Sequence, residues 1–262
     1  MSALVIDGDL VHYEVLGRGK PVLFIHGWLG SWRYWLPTME ALSDRHRTYA
    51  LDLWGFGDSD KSKPRYQISN YVELVDSFLN YLGISQISIV GHALGASIAL
   101  EYAASRPERV PKVMAISLPL SADTISRKLL DIAQNTVIAK ILWWPQFTYK
   151  EVQKEAEKTG PGVITQTVQS ASQLEFSQHF QNLGSSLVLL VYGEKDDLID
   201  PSPAKNLNGH YPNIRRLGLA QAKHFPMLDE AAKFQRLLKD FLELNTNLAD
   251  LELTEEWRRR TR

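Results

Sequence analysis

Ile87-Ser88-Ile89-Val90-Gly91-His92-Ala93-Leu94-Gly95-Ala96 is the stretch that decides the fold of this chain. Its apolar, β-branched opening reads as a buried strand. It ends in Gly-x-Ala-x-Gly and passes straight into a small-residue helical pattern over 93–105. Glycines two positions either side of a central residue mark a tight strand-to-helix turn, where a Cβ at either place would collide with the turn. The apex of that turn is Ala93, whose side chain is only a methyl group.

Working outward, strand patterns fall at 4–6, 10–15, 22–25, 47–53, 87–90, 112–117, 187–192 and 214–218, with helical patterns at 32–43, 71–82, 93–105 and 226–244. Strands alternating with helices predict an α/β fold. The expected architecture is a mostly parallel, eight-stranded sheet flanked by helices, with the opening hairpin as its antiparallel edge. Sites in such sheets lie at the carboxyl ends of the strands, where His26, Ala93, Asp196 and His224 are expected. The alternation stops after Leu118 and resumes near Ser186. The domain reading is therefore a core of 1–118 and 186–262 with a helical insertion at 119–185, after the sixth strand. Within the insertion, Leu142, Trp143, Trp144 and Phe147 either pack it onto the core or line an apolar tunnel.

Composition sets further bounds. A chain of 262 residues that is 44% apolar can bury a sizeable core. A net charge of −1 gives no electrostatic case for nucleic acid. Without cysteine there is no disulfide, thiolate metal site or thiol nucleophile. Residues 1–9 lack a secretory pattern, and the apolar run 137–144 is broken by Lys140 and too short to span a bilayer, so a cytoplasmic protein is expected. The basic, aromatic tail at 255–262 leaves room only for weak peripheral membrane contact. No metal-binding motif is visible, and Asp60 stands where a dinucleotide fingerprint would need its third glycine.

Further motifs occur in a fixed order. Pro21-Val22-Leu23-Phe24-Ile25-His26-Gly27-Trp28 is a strand running into an H-G-x turn, and Asp52-Leu53-Trp54-Gly55-Phe56-Gly57-Asp58-Ser59 reads D-x-x-G-x-G-x-S. Gly193-Glu194-Lys195-Asp196 follows a buried strand, and Ala222-Lys223-His224-Phe225-Pro226 precedes the last helix. With the Gly91–Gly95 turn, these resemble the α/β-hydrolase family, whose members present a G-x-S-x-G elbow, then an acid, then a histidine. The resemblance implies the α/β-hydrolase fold, with the insertion as a cap over the pocket. It implies a nucleophile at position 93, His224 as base and Asp196 as its partner, with the amides of Trp28 and Leu94 as oxyanion donors. His92, Leu198 and Phe225 join Trp143, Trp144 and Phe147 as expected substrate-binding residues. Asp197, Asp200 and, from the end of the preceding strand, Asp123 remain open as alternative acids. His26 is expected to shape its turn, and His12, His46, His179 and His210 fall outside the motifs.

Three accounts of Ala93 follow. It replaces a nucleophilic serine in an inactivated variant, or the chain is a natural ligand-binding receptor on a hydrolase fold. In the third account the lost residue is an aspartate, as in haloalkane dehalogenases and epoxide hydrolases. Those families place an aromatic after the nucleophile, whereas Leu94 follows here, and the second account asks acid, base and oxyanion turn to persist without the group they serve. The first is preferred. The expected parent is a cofactor-independent serine hydrolase of a hydrophobic, small-molecule carboxylic ester, with a long-chain, isoprenoid or phytyl alcohol as candidates; C–C bond, lactone and thioester hydrolysis use the same machinery and remain open.

Overall fold

In the computed structural model, which describes residues 2–134, 149–159, 161–244 and 248–251, the decisive stretch forms β5 (Ser88–His92) and the helix α3 (Leu94–Ser105) that follows it. The other strands are β1 (Ser2–Ile6), β2 (Asp9–Gly17), β3 (Lys20–Ile25), β4 (His46–Leu51), β6 (Lys112–Ile116), β7 (Leu187–Gly193) and β8 (Ile214–Leu219). They make one eight-stranded sheet of order β1-β2-β4-β3-β5-β6-β7-β8. Only β1–β2 and β2–β4 pair antiparallel, as the opening hairpin predicted. The near-continuous apolar runs of β3, β5, β6 and β7 suit strands buried on both faces.

Register aligns the strand ends that matter. Ile25 sits opposite Gly91, His92 opposite Ile116, and Ile116 opposite Val191. Residues 26–28, 93, 117 and 194–196 therefore leave the sheet at one edge. Packed against the sheet are α1 (Leu36–Leu42), on β2 and β4, and α3, on β5 and β6 and against α2 (Ile68–Tyr81).

Three helical boundaries differ from those read in the sequence. The pattern 32–43 opens as a tighter 3₁₀ turn, Trp32–Trp35, before α1, whose first turn contains Pro37. Proline lacks an N–H, which suits a helix start but not a helix interior. Helix α2 starts at Ile68 rather than 71 because the Ile68 amide finds its acceptor in the Ser170 hydroxyl, 2.9 Å away and 102 residues later. The final pattern breaks at Glu230 (φ −127°, ψ 51°), leaving two helices, Pro226–Asp229 and Ala231–Glu243.

Between β6 and β7 no strand occurs among the described residues, and the helices are α4 (Arg127–Gln134), α5 (Lys150–Lys158), α6 (Pro161–Ala171) and α7 (Phe176–His179). Trp143, Trp144 and Phe147 lie outside the described residues, as does the tail beyond Leu251. Among the described residues no helix is long and apolar enough to cross a membrane.

Candidate active site

Ala93 is fully buried and holds φ 49° and ψ −107°, a backbone state that a residue with a Cβ adopts only under constraint. The constraint is visible. Its amide donates to the Ile116 carbonyl at 2.8 Å, and its carbonyl accepts the Ala96 and Ser97 amides at 3.0 and 3.1 Å. A Cβ on Gly91 would strike the Gly95 carbonyl, and one on Gly95 would strike the carbonyls of Ile25 and His26. Both glycines are thus required by close backbone approach, as the motif predicted.

His224 and Asp196 meet although 28 residues apart: the imidazole Nδ1 lies 3.1 and 2.9 Å from the two carboxylate oxygens. The Asp196 side chain is buried, and its remaining capacity is filled. Oδ1 accepts the amides of Leu198 (2.9 Å) and Ile199 (3.0 Å), and Oδ2 accepts the Ser117 hydroxyl at 2.8 Å. Burial alone would raise the pKa of this carboxyl, but the neighbouring His224 and the two amides outweigh it and hold it below its ordinary value. Nδ1 is committed, and Nε2 of His224 has no partner among the described residues. The two loops cross so closely that a Cβ on Gly193 would strike the carbonyls of Ala222 and Lys223. The other acids are engaged elsewhere. Asp197 is exposed and pairs with Lys128 at 2.7 Å, Asp200 caps its own turn at Ser202, and exposed Asp123 bonds Ser121.

The turn after β3 carries the second set of predicted groups. The His26 ring donates from Nδ1 to the Gly27 carbonyl (2.9 Å) and accepts the Leu53 amide at Nε2 (3.0 Å), so it ties two loops together. Among the described residues, no group accepts from the amides of Trp28 and Leu94. The Trp28 indole donates to Thr167 of α6 at 2.9 Å. Leu198 and Phe225 are both buried beside the Asp196–His224 pair, the Phe225 ring standing 5.0 Å from His92 and 5.1 Å from His224. His92 is fully buried, 4.7 Å from His224 between ring centroids.

Three residues escaped sequence reading. Ser117, in the left-handed region at φ 48°, ends β6 and bonds Asp196; a small polar residue closing an apolar strand was the only cue. Tyr34 approaches His92 and Gly27, which nothing in its local sequence announces. His12 is buried and bonds Asp52 at 2.9 Å, so it is a working part of the D-x-x-G-x-G-x-S loop and not an incidental histidine. Ligand atoms of His12, Asp52 and Asp58 lie within 4.8 Å of one another. Asp52 is already occupied by His12 and the amides of Trp32 and Asp58, and Asp58 by the Arg33 guanidinium at 2.8 Å, so the group is a closed hydrogen-bond and ion-pair cluster.

Residues 20–150 match the alpha/beta hydrolase fold family. The chain is 27% identical to the dihydrolipoyllysine-residue acetyltransferase component of an acetoin cleaving system from Cupriavidus necator, covering 90% of this chain and 67% of that one. It is also 27% identical to epoxide hydrolase 4 of Homo sapiens, covering 93% and 78%. Among solved structures, it is similar to an alanine-for-serine mutant of a meta-cleavage product hydrolase from Pseudomonas fluorescens (TM-score 0.77, 20% identity, 92% and 97% covered). Sheet order, strand-end geometry and these likenesses agree: the chain belongs to the alpha/beta hydrolase fold family.

Proposed function

We propose that the parent of this chain, with serine at position 93, is a serine hydrolase acting on a hydrophobic, small-molecule carboxylic ester, and that Ala93 makes the present chain its inactive form. The observation that carries this reading is the buried His224–Asp196 pair, whose backbone is tied to the turn displaying position 93 by the 2.8 Å bond from His92 to the His224 carbonyl. A serine hydroxyl at 93 would attack the ester carbonyl while His224 Nε2 takes its proton. The amides of Trp28 and Leu94, which have no other acceptor among the described residues, would receive the oxyanion. Asp196 fixes the imidazole with its proton on Nδ1 and stabilises it once charged. His224 then returns the proton to the departing alcohol, and water releases the acyl group by the same steps.

Removing the nucleophile costs on the order of 10⁶-fold in turnover in a triad enzyme. Ala93→Ser should therefore restore hydrolysis across a panel of p-nitrophenyl esters, with preference for longer acyl chains, and His224→Ala should abolish it again. A silent Ala93→Ser chain that still binds an ester would support the receptor account instead. Because one relative is an epoxide hydrolase, Ala93→Asp is the companion variant. Epoxide opening by it, with no esterase activity in Ala93→Ser, would replace the ester reading.

A further inference from the structure

The hydrolase reading assigns no role to Tyr34 or to His92 beyond lining the site. Yet these two side chains complete a continuous hydrogen-bonded path across it. The Gly27 amide donates to the Tyr34 hydroxyl at 2.6 Å. That hydroxyl lies 3.1 Å from His92 Nδ1, and His92 Nε2 lies 2.8 Å from the His224 carbonyl. Every member of the path is buried.

The partners dictate the protons. A carbonyl only accepts, so Nε2 of His92 must carry a hydrogen. The Tyr34 oxygen already accepts from Gly27, so its own hydrogen is left for Nδ1. His92 is thereby the neutral Nε2–H tautomer. A proton on Nδ1 would face the Tyr34 hydroxyl hydrogen and leave it without an acceptor in a buried place. Burial, and then the adjacent His224, independently lower the His92 pKa well below its ordinary value. The neutral state also has a catalytic consequence. The rings of His92 and His224 are 4.7 Å apart between centroids, so a charged His92 would oppose the imidazolium that must form at His224.

We propose that Tyr34 and His92 are positioning residues, locking the loop that presents the Trp28 amide to the loop that presents His224 on either side of position 93; this rests on the hydrolase reading above. Gly27 immediately precedes Trp28, and a Cβ on it would approach His92 Nδ1 to 2.7 Å, so the glycine is what lets the imidazole enter the path. The lock spans the two groups that must sit at fixed distances from one carbonyl carbon. Displacement of such a group by about 1 Å can cost on the order of 10²-fold in rate.

The test uses Tyr34→Phe, which keeps the ring's edge-on packing against His92 (5.8 Å) and Phe225 (6.1 Å) while removing the hydroxyl. Placed in the Ala93→Ser chain, it should lower kcat about 10- to 100-fold with KM changed less than about twofold. A merely architectural tyrosine would lower thermal stability and leave kcat of the folded enzyme intact, and that result overturns the proposal. The second measurement needs no activity: ¹⁵N-histidine NMR on the chain with Ala93 at pH 7. It should show His92 protonated at Nε2 and bare at Nδ1, with Tyr34→Phe shifting the Nδ1 resonance. An imidazolium or an Nδ1–H tautomer at His92 overturns the lock. An inactive Ala93→Ser chain with the expected tautomer intact strikes the hydrolase reading, and with it the positioning role, while leaving the hydrogen-bonded path standing.

Discussion

At position 93 a strained backbone is held in place around a methyl group that gains nothing from it. Strain of this kind persists only where the surroundings over-determine it, and here the Ile116 carbonyl and the glycines at 91 and 95 do so. Those glycines were legible because close backbone approach leaves a signature in the residue itself. Tyr34, Ser117 and His12 were not, since each acquires its meaning from a partner 58, 79 and 40 residues away. His12 offers a test at this scale. Burial alone would lower its pKa, but the hydrogen bond and charge of Asp52, then the charges of Asp58 and Glu14, outweigh it, and the net shift is upward from 6.5. A histidine raised in the folded state contributes stability that is complete below its unfolded pKa and is lost as pH rises through the folded value. Urea denaturation of the chain and of His12→Gln, repeated from pH 5.5 to 8.5, should therefore converge at the alkaline end, with the unaltered chain clearly more stable only at the acid end. Buried His26 and His92, whose pKa values are lowered, tilt both curves the opposite way and cancel in the difference. A pH-independent gap between the curves would show that His12 does not carry this charge.

Elements were legible where their own periodicity decided them, and less so where another element finished them. All eight strands and the antiparallel edge follow from alternation and apolar runs. The start of α2 does not, because its first amide is capped by Ser170 from α6. The same helix reaches the site: Thr167, fully buried, accepts the Trp28 indole N–H at 2.9 Å and donates to the carbonyls of Val163 and Ile164. This contact joins a helix between β6 and β7 to the turn whose amide is the proposed oxyanion donor. Thr167→Val keeps the volume and strands the indole N–H in a dry place, which costs about 1–3 kcal/mol. Equilibrium unfolding in urea should register that loss as a lower midpoint with an unchanged slope. An unaltered midpoint would mean that the indole finds another acceptor and that α6 does not hold the turn.

On the scale of the whole molecule, the described residues of the helical segment between β6 and β7 are bonded to the core at several points. Besides the Trp28–Thr167 and Ile68–Ser170 bonds, the Tyr149 hydroxyl donates to Asp229 at 2.6 Å, and Arg33 bridges Asp58 of the core and buried Glu155 of α5. The backbone itself is stitched across the boundary, with Ile125 bridging Ile199 and the Ser126 amide donating to Leu198, two residues beyond Asp196. Such connections tie the described helices of the segment to the sheet, so opening the sheet breaks them. The expected outcome is one cooperative unfolding transition, in which tryptophan fluorescence and far-ultraviolet circular dichroism report the same midpoint in urea. With Trp143 and Trp144 replaced by phenylalanine, fluorescence weights the regions around buried Trp28, Trp35 and Trp54, while dichroism weights all the helices, so the two probes would separate if the segment between β6 and β7 melted alone. A dichroism loss that precedes the fluorescence change would establish the segment as an autonomous lid. In that case the Trp28–Thr167 bond would break with the segment, and the proposed oxyanion turn would lose that tie while the sheet stayed folded.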